Sequence, residues 1–147
     1  MKVFVDANVI FSASLPKAGG ARALLYEAAR CGAMCISSDR ALAEAQRNLL
    51  SKAPHAMPGY AQMAARIVTV AQPAQAAIDV AAEAGVVAKD APVFAAAIQE
   101  RAQLFVTGDA RHFGHLFGTQ VEGVLVLSLR AAFERLTAMP TVHGPAE

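Results

Sequence analysis

The sequence predicts an α/β fold, a three-layer α/β/α sandwich with a central, mostly parallel sheet. Short apolar runs alternate with stretches of helical periodicity along the chain, as in repeated βα units. The apolar runs are continuous and do not alternate with polar residues, which is typical of strands covered on both faces. With 147 residues, 55% of them hydrophobic, the chain is long enough to bury one such core.

The predicted strands are short runs of apolar, β-branched and aromatic residues, bounded by turn formers. The first run ends at an aspartate and the fourth at a Gly-Asp pair, so two strands lead directly into acidic residues. The predicted strands are Lys2–Val5, Met34–Ser37, Val68–Ala71, Leu104–Thr107 and Val124–Leu127.

Helical periodicity fills most segments between the strands, and glycine or proline marks several helix ends. Pro54 and Pro58 separate one helix from the next, and Gly85 stops another. Pro92 lies in the first turn of the helix that Asp90 begins, where its missing N–H costs nothing. Three predicted helices have definite bounds, namely 21–30, Gln75–Ala84 and Ala131–Leu136. Three more are defined by other features. The first is capped by Ser37, Ser38 or Asp39, the second has an apolar face from Tyr60 to Ile67, and the third starts at Asp90.

Composition excludes several classes of protein. The hydrophobic share is too high for a disordered chain, and no apolar stretch approaches the roughly 18 to 20 residues of a membrane span. Asp6 interrupts the apolar N-terminus, which argues against a signal peptide. We therefore expect one domain over residues 1–138, a flexible tail over 139–147, no membrane partner and a cytoplasmic location.

The net charge of +1 argues against a protein that coats nucleic acid, although it leaves room for a local basic patch. Cys31 and Cys35 have no second cysteine or histidine pair at the spacing of a zinc site, so buried packing is their expected role.

Four carboxylates, scattered along the sequence, are the candidate functional residues. Asp6 and Asp109 follow predicted strands, Asp90 begins a helix, and Glu44 lies one turn into the helix after the second strand. The carboxyl ends of parallel strands meet at one edge of a sheet, which gives these residues a route to a common site. Carboxylates about 4 Å apart repel by roughly 4 kcal/mol per pair at an effective dielectric near 20, so such a cluster protonates or binds a cation. Oxygen ligands favour Mg²⁺ or Mn²⁺, which promote phosphodiester hydrolysis.

Each of these residues also has a simpler interpretation when it is taken alone. Asp90 suits a helix cap, Glu44 a solvated helix face, and Asp109 a turn after Gly108. Two polar companions favour the site: Asn8 follows Asp6 by two residues, and Thr107 precedes Asp109 by two. Alternation along an extended segment would point each pair to the same side.

Three motifs, in this order, resemble those of PIN-domain proteins, the nuclease family that includes the VapC-type toxins of bacterial toxin–antitoxin pairs. The motifs are VFVDANVIFSA at 3–13, SSDRALAEAQRNLL at 37–50 and KDAPVFAAAIQERAQLFVTGDARHF at 89–113. The resemblance covers the chain from Lys2 to about Leu136 and is most specific in the last motif.

The resemblance implies an endoribonuclease that depends on Mg²⁺ or Mn²⁺. It implies that the catalytic and metal-binding residues are Asp6, Glu44, Asp90 and Asp109. Hydrogen bonds from Asn8, Thr107 and Ser12 would orient them, and Lys89, Arg111 and His112 are candidate RNA contacts, with solvated surface charge as the alternative for each.

The resemblance also implies partners besides RNA, namely a cognate antitoxin protein and a second copy of the chain in a homodimer. If Leu24, Leu25 and Leu49 are exposed, they offer an apolar surface for such a partner.

One departure from the family pattern leaves alternatives open. Many members carry a further Asp or Asn shortly after the Thr-Gly-Asp aspartate, where this chain has residues 110–113, ARHF. One metal ion is therefore expected and a second is in doubt, and a catalytically weak PIN-fold module that binds RNA or protein is the alternative function. A haloacid-dehalogenase-like phosphatase would need an aspartate in place of Asn8, and a receiver domain would need a lysine near Ser128.

Overall fold

The computed structural model describes residues 1–17 and 19–143. Within them the strands form one six-stranded sheet in the order β3-β2-β1-β4-β6-β5, in which β5 alone runs antiparallel to its neighbour. The predicted α/β class with a mostly parallel central sheet is confirmed. The strands are β1 (Lys2–Val5), β2 (Met34–Ser38), β3 (Val68–Val70), β4 (Leu104–Thr107), β5 (Gln120–Val121) and β6 (Val124–Ser128).

Side-chain caps mark the start of several helices, because Asp6, Ser38, Asp109 and Ser128 each accept a hydrogen bond from a backbone N–H of the first turn. No described helix is long and apolar enough to cross a membrane. The helices are α1 (Ala7–Ser14), α2 (Gly20–Arg30), α3 (Asp39–Lys52), α4 (Met57–Ala64), α5 (Gln75–Glu83), α6 (Ala91–Gln99), α7 (Ala110–Phe113) and α8 (Leu129–Thr137).

A cluster of aromatic rings fixes α6 and α7 against the centre of the sheet. Phe94 of α6 meets Phe105 of β4 edge to face at a centroid distance of 4.8 Å, and Phe113 of α7 lies 5.1 Å from Phe105. Such pairs add roughly 0.5–1.5 kcal/mol beyond their burial. Since Asp90 precedes α6 and Asp109 precedes α7, this packing positions both carboxylates.

The register of the two central strands places the first motif beside the last. Val5 of β1 pairs with Val106 of β4, and the backbone N–H of Asp6 donates to the Val106 carbonyl at 3.0 Å. The next residues along each strand, Asp6 and Thr107, are therefore neighbours at the carboxyl edge of the sheet.

The structure corrects the extended segment that was expected after Asp6. Residues Ala7–Ser14 form α1, so Asn8 lies in a first helical turn and its proximity to Asp6 does not come from strand alternation. The helix escaped prediction because it is buried on several sides (Val9, Ile10 and Ala13 are all in the core) and so lacks an amphipathic pattern.

Other boundaries also differ from the predictions. Helix α4 ends at Ala64, so Ile67 is buried in the connection to β3 and not on a helix face. Helix α7 and strand β5, of four and two residues, are too short to carry a periodic signal.

Leu24, Leu25 and Leu49 do not offer an apolar surface to a partner, because all three are buried in the core. Cys31 and Cys35 are buried and free, and burial, with the neighbouring Cys31, raises the pKa of the Cys35 thiol to about 11. Cys35 is therefore a packed, protonated thiol.

Part of the predicted tail, residues 144–147, lies outside the described residues. In the described part Arg30 holds the chain to the end of α2. Its guanidinium donates to the carbonyls of Leu136 and Met139, both at 2.9 Å, and its own carbonyl accepts from the N–H of Val142 at 2.9 Å. The chain thus remains attached to α2 as far as Val142.

Candidate metal centre

Asp6 is the most buried of the predicted carboxylates, with 8% of its surface exposed. Its Oδ1 accepts from the Ala7 N–H at 2.8 Å, and its Oδ2 accepts from the Thr107 hydroxyl at 2.9 Å. Burial, with a smaller contribution from the charges of Asp90 and Glu44, raises its pKa to about 6, although these two hydrogen bonds lower it. A bound cation would favour the ionised form that burial disfavours.

Thr107 connects the two acidic motifs through one buried hydroxyl. Its Oγ1 donates to Asp6 and accepts from the backbone N–H of Asp109 at 3.0 Å and from Asn8 Nδ2 at 3.2 Å. Asn8 Nδ2 also lies 3.2 Å from Asp6 Oδ2, and Asn8 Oδ1 accepts from the Gly108 N–H at 2.6 Å. Asn8 and Thr107 therefore fix the Asp6 carboxylate and the backbone that presents Asp109.

Asp90, Asp109 and His112 form the tightest group of candidate ligands. Asp109 caps α7 through its Oδ1, which accepts from the His112 N–H at 3.0 Å. His112 Nδ1 lies 2.9 Å from Asp109 Oδ2 and 2.9 Å from Asp90 Oδ2. The ligand atoms of the three residues all lie within 4.8 Å of one another.

A cleft of about 310 Å³ opens at this edge of the sheet. The four predicted carboxylates all line it, and so do Asn8, Ser12 and Lys89. Asp6 and Glu44 face the cleft without joining the tight group. Two candidate RNA contacts lie elsewhere: Arg111 is exposed outside the lining, and His112 contacts the acidic pair.

Sequence reasoning missed part of the cleft wall. Asn48 and Lys52 of α3 line it beside Glu44, and Arg40 and Arg47 line an adjoining hollow that also contains Glu44, Lys89 and Asp90. The signal was present in the sequence, since positions 40, 44, 47, 48 and 52 recur at the three- and four-residue spacing of one helix face.

The residues present fit a divalent cation. Carboxylate oxygens of Asp90 and Asp109, from two segments of the chain, lie close to the His112 imidazole nitrogen. Asp90 Oδ2 and His112 Nδ1 are buried atoms that make no aligned hydrogen bond within the described residues. Burying polar atoms without an aligned hydrogen bond is costly, and a cation in contact with both atoms would offset that cost.

No protein-family model matches the chain, and no curated protein matches it in sequence. Its structure is similar to that of VapBC2 from Rickettsia felis, which was determined bound to a promoter DNA fragment. The sequence identity is 16% and the TM-score 0.67, and the match covers 87% of this chain and 98% of that one. It is similar to PAE2754 from Pyrobaculum aerophilum at 18% identity and a TM-score of 0.66, covering 95% and 100%. FitAB bound to an IR36 DNA fragment matches at 19% identity and a TM-score of 0.50, covering 86% and 94%.

The chain therefore has the PIN-domain fold that its motifs predict. Identities of 16% to 19% establish the fold alone, so the chemistry of the cleft depends on the residues described above.

The raised pKa of Asp6 predicts how stability changes with pH in a chelator. Between its ordinary value of 3.8 and about 6, Asp6 is ionised in the unfolded chain and protonated in the folded one. The folded state then binds more protons, so the free energy of unfolding falls as pH rises through this window, by up to about 3 kcal/mol at about 1.4 kcal/mol per pKa unit. Urea unfolding at pH 4 to 7 in EDTA tests this: wild type should lose stability relative to Asp6→Asn, and parallel profiles would contradict it.

Proposed function

We propose that this chain is an endoribonuclease that hydrolyses RNA phosphodiesters with one bound Mg²⁺ or Mn²⁺ ion. The observation that carries the proposal is the convergence of Asp6, Glu44, Asp90 and Asp109 in one cleft at the carboxyl edge of a PIN-fold sheet. Three of these carboxylates come from separate loops and the fourth from α3, so their meeting depends on the fold.

The protein's own residues would position the reacting groups. The carboxylates would hold the cation, and Asn8 and Thr107 keep Asp6 aligned through the hydrogen bonds described above. When bound, a divalent ion supplies an activated water and neutralises charge at phosphorus. Lys52 and Lys89 line the same cleft and would neutralise phosphate charge of a bound RNA.

The test is cleavage of single-stranded RNA by protein stripped of metal and then given Mg²⁺ or Mn²⁺. We expect cleavage by the wild type with metal and none in EDTA or by Asp90→Asn. Equal cleavage in all conditions would contradict the proposal. RNA binding with no cleavage under any of them would support the alternative of a catalytically weak binding module.

The cleft wall suggests a path for the RNA along α3. Arg40, Arg47 and Lys52 flank Glu44 on the helix face that lines the cleft and its adjoining hollow. At 1.5 Å per residue the face from Arg40 to Lys52 is about 18 Å long, which is long enough to follow several nucleotides. Basic residues thus lie on both sides of the carboxylate that would help to hold the metal.

Arg47→Gln and Lys52→Gln are expected to weaken RNA binding in EDTA and to lower its salt dependence. Each lost phosphate contact reduces the slope of log K against log salt by about 0.7 for a single strand. Fluorescence anisotropy of a labelled RNA at several salt concentrations measures the slope. Arg135→Gln, which removes an exposed charge from α8, is the matched control, and equal slopes in all four proteins would refute the path.

The partners that the resemblance implies are part of the same proposal. We propose an antitoxin partner and a homodimer, and two similar structures, VapBC2 and FitAB, were determined bound to DNA fragments. Copurification with the product of an adjacent gene tests the first, and light scattering of the purified chain tests the second, since a clean monomer contradicts it. The cytoplasmic location stays a prediction.

A further inference from the structure

His112 occupies an unusual position for a histidine beside a metal centre built of carboxylates. It lies three residues after Asp109 in α7, and its backbone N–H donates to the Asp109 carboxylate that caps this helix. Its Nδ1 lies 2.9 Å from both Asp90 Oδ2 and Asp109 Oδ2. One ring nitrogen thus contacts carboxylates from two separate segments of the chain.

Hydrogen bonding does not account for this arrangement. Asp90 Oδ2 and His112 Nδ1 are both buried, and neither makes an aligned hydrogen bond among the described residues. Nδ1 carries at most one hydrogen, which the two equally close oxygens would have to share, and its contact with the buried Asp90 Oδ2 is not aligned as a hydrogen bond.

The separations match those of neighbouring ligands around one ion. In an octahedral site with bonds of about 2.1 Å, two ligand atoms at right angles lie about 3.0 Å apart. Both nitrogen-to-oxygen distances at His112 are 2.9 Å. His112 Nδ1 is therefore spaced from each of the two oxygens as one ligand is from an adjacent ligand in such a shell.

We propose that His112 Nδ1 is a direct ligand of the metal ion, so that the centre binds Mn²⁺ in preference to Mg²⁺. The inference rests on the metal centre of the proposed function and adds a nitrogen to its oxygen ligands. Imidazole suits first-row transition metals, whereas Mg²⁺ prefers an all-oxygen shell. His112 lies in the segment where the chain lacks a further acidic residue, so a nitrogen ligand takes the place of an oxygen there.

Pulsed electron paramagnetic resonance of the Mn²⁺-loaded protein tests the ligand directly, without RNA. We expect a nitrogen coupling in the wild type and in the exposed-histidine control His55→Gln, and no coupling in His112→Ala or His112→Asp. A coupling that persists in His112→Ala, or a wild type that binds Mn²⁺ without one, overturns the inference.

Calorimetric titration with Mn²⁺ and Mg²⁺ tests the selectivity. His112→Ala should weaken Mn²⁺ binding by about tenfold or more and Mg²⁺ binding by less than about threefold. His112→Asp restores an oxygen ligand, so it should bind both ions while losing the preference for Mn²⁺, and circular dichroism verifies that both variants fold. An unchanged ratio of the two affinities overturns the inference.

The outcomes separate this inference from the proposed function. A wild type that cleaves RNA but shows no nitrogen coupling overturns the His112 ligand and leaves the ribonuclease standing. A wild type with the coupling and no cleavage supports the ligand and contradicts the ribonuclease.

Discussion

Asp90→Asn is expected to lower metal-dependent RNA cleavage by at least about 10³-fold. Asp90 Oδ2 belongs to the tightest group of candidate ligands, and replacing it by an amide removes a negative charge and turns an N–H₂ toward the cation. Loss of about 4 kcal/mol of transition-state stabilisation corresponds to this factor. The measurement is kcat/KM on a labelled RNA with Mn²⁺ or Mg²⁺ in excess.

The substitution should leave the fold intact. Asp90 precedes α6 but makes no side-chain cap hydrogen bond, so the amide removes no support from that helix. Asp79→Asn is the matched control, because it makes the same change of charge at an exposed residue of α5. An Asp90→Asn rate within about threefold of the Asp79→Asn rate would show that Asp90 does not hold the ion.

Much of the sheet could be predicted because its strands are buried on both faces. The runs at Lys2–Val5 and Leu104–Thr107 are continuously apolar, and they form the two central strands with the predicted bounds. The same burial hid α1, since a helix with core contacts on several sides shows no polar face. Burial thus made the strands predictable from sequence and made this helix unpredictable.

Strand ends and motif order could single out the carboxylates, but they could not give the contacts between them. That Asp6 lies beside Thr107 depends on the register of Val5 with Val106, which no local pattern specifies. Asn8 was selected correctly as a neighbour of Asp6, yet the reason was wrong, because a helical turn and not strand alternation brings it close.

The contact between His112 and Asp90 could not be predicted from local sequence. The three-residue spacing of His112 from Asp109 was visible, but Asp90 lies 22 positions before His112 in the printed sequence. Their contact depends on how α6 packs against β4 through Phe94 and Phe105. A candidate RNA contact in the sequence therefore becomes a candidate ligand in the fold.

Gly59→Ala is expected to lower the free energy of unfolding by about 2 kcal/mol or more, a typical cost of overpacking against a rigid neighbour. Gly59 lies in α4 where the helix crosses the end of α1, and a Cβ there would overlap the backbone carbonyl oxygen of Ser14. A backbone atom cannot rotate away as a side chain can, so the two helices must separate.

The same substitution tests whether the packing of α4 on α1 helps to position the metal centre, because α1 carries Asn8 and is capped by Asp6. Gly20→Ala is the matched control: its Cβ would lie 3.8 Å from Leu129 Cδ2, an ordinary contact, so stability should change by less than about 1 kcal/mol. Urea unfolding of both variants gives the comparison, and equal midpoints would show that α4 does not pack this closely on α1. If Gly59→Ala still folds, a shift of α1 should also weaken Mn²⁺ binding, since the hydrogen bonds that align Asp6 and the Gly108 backbone depend on where Asn8 lies.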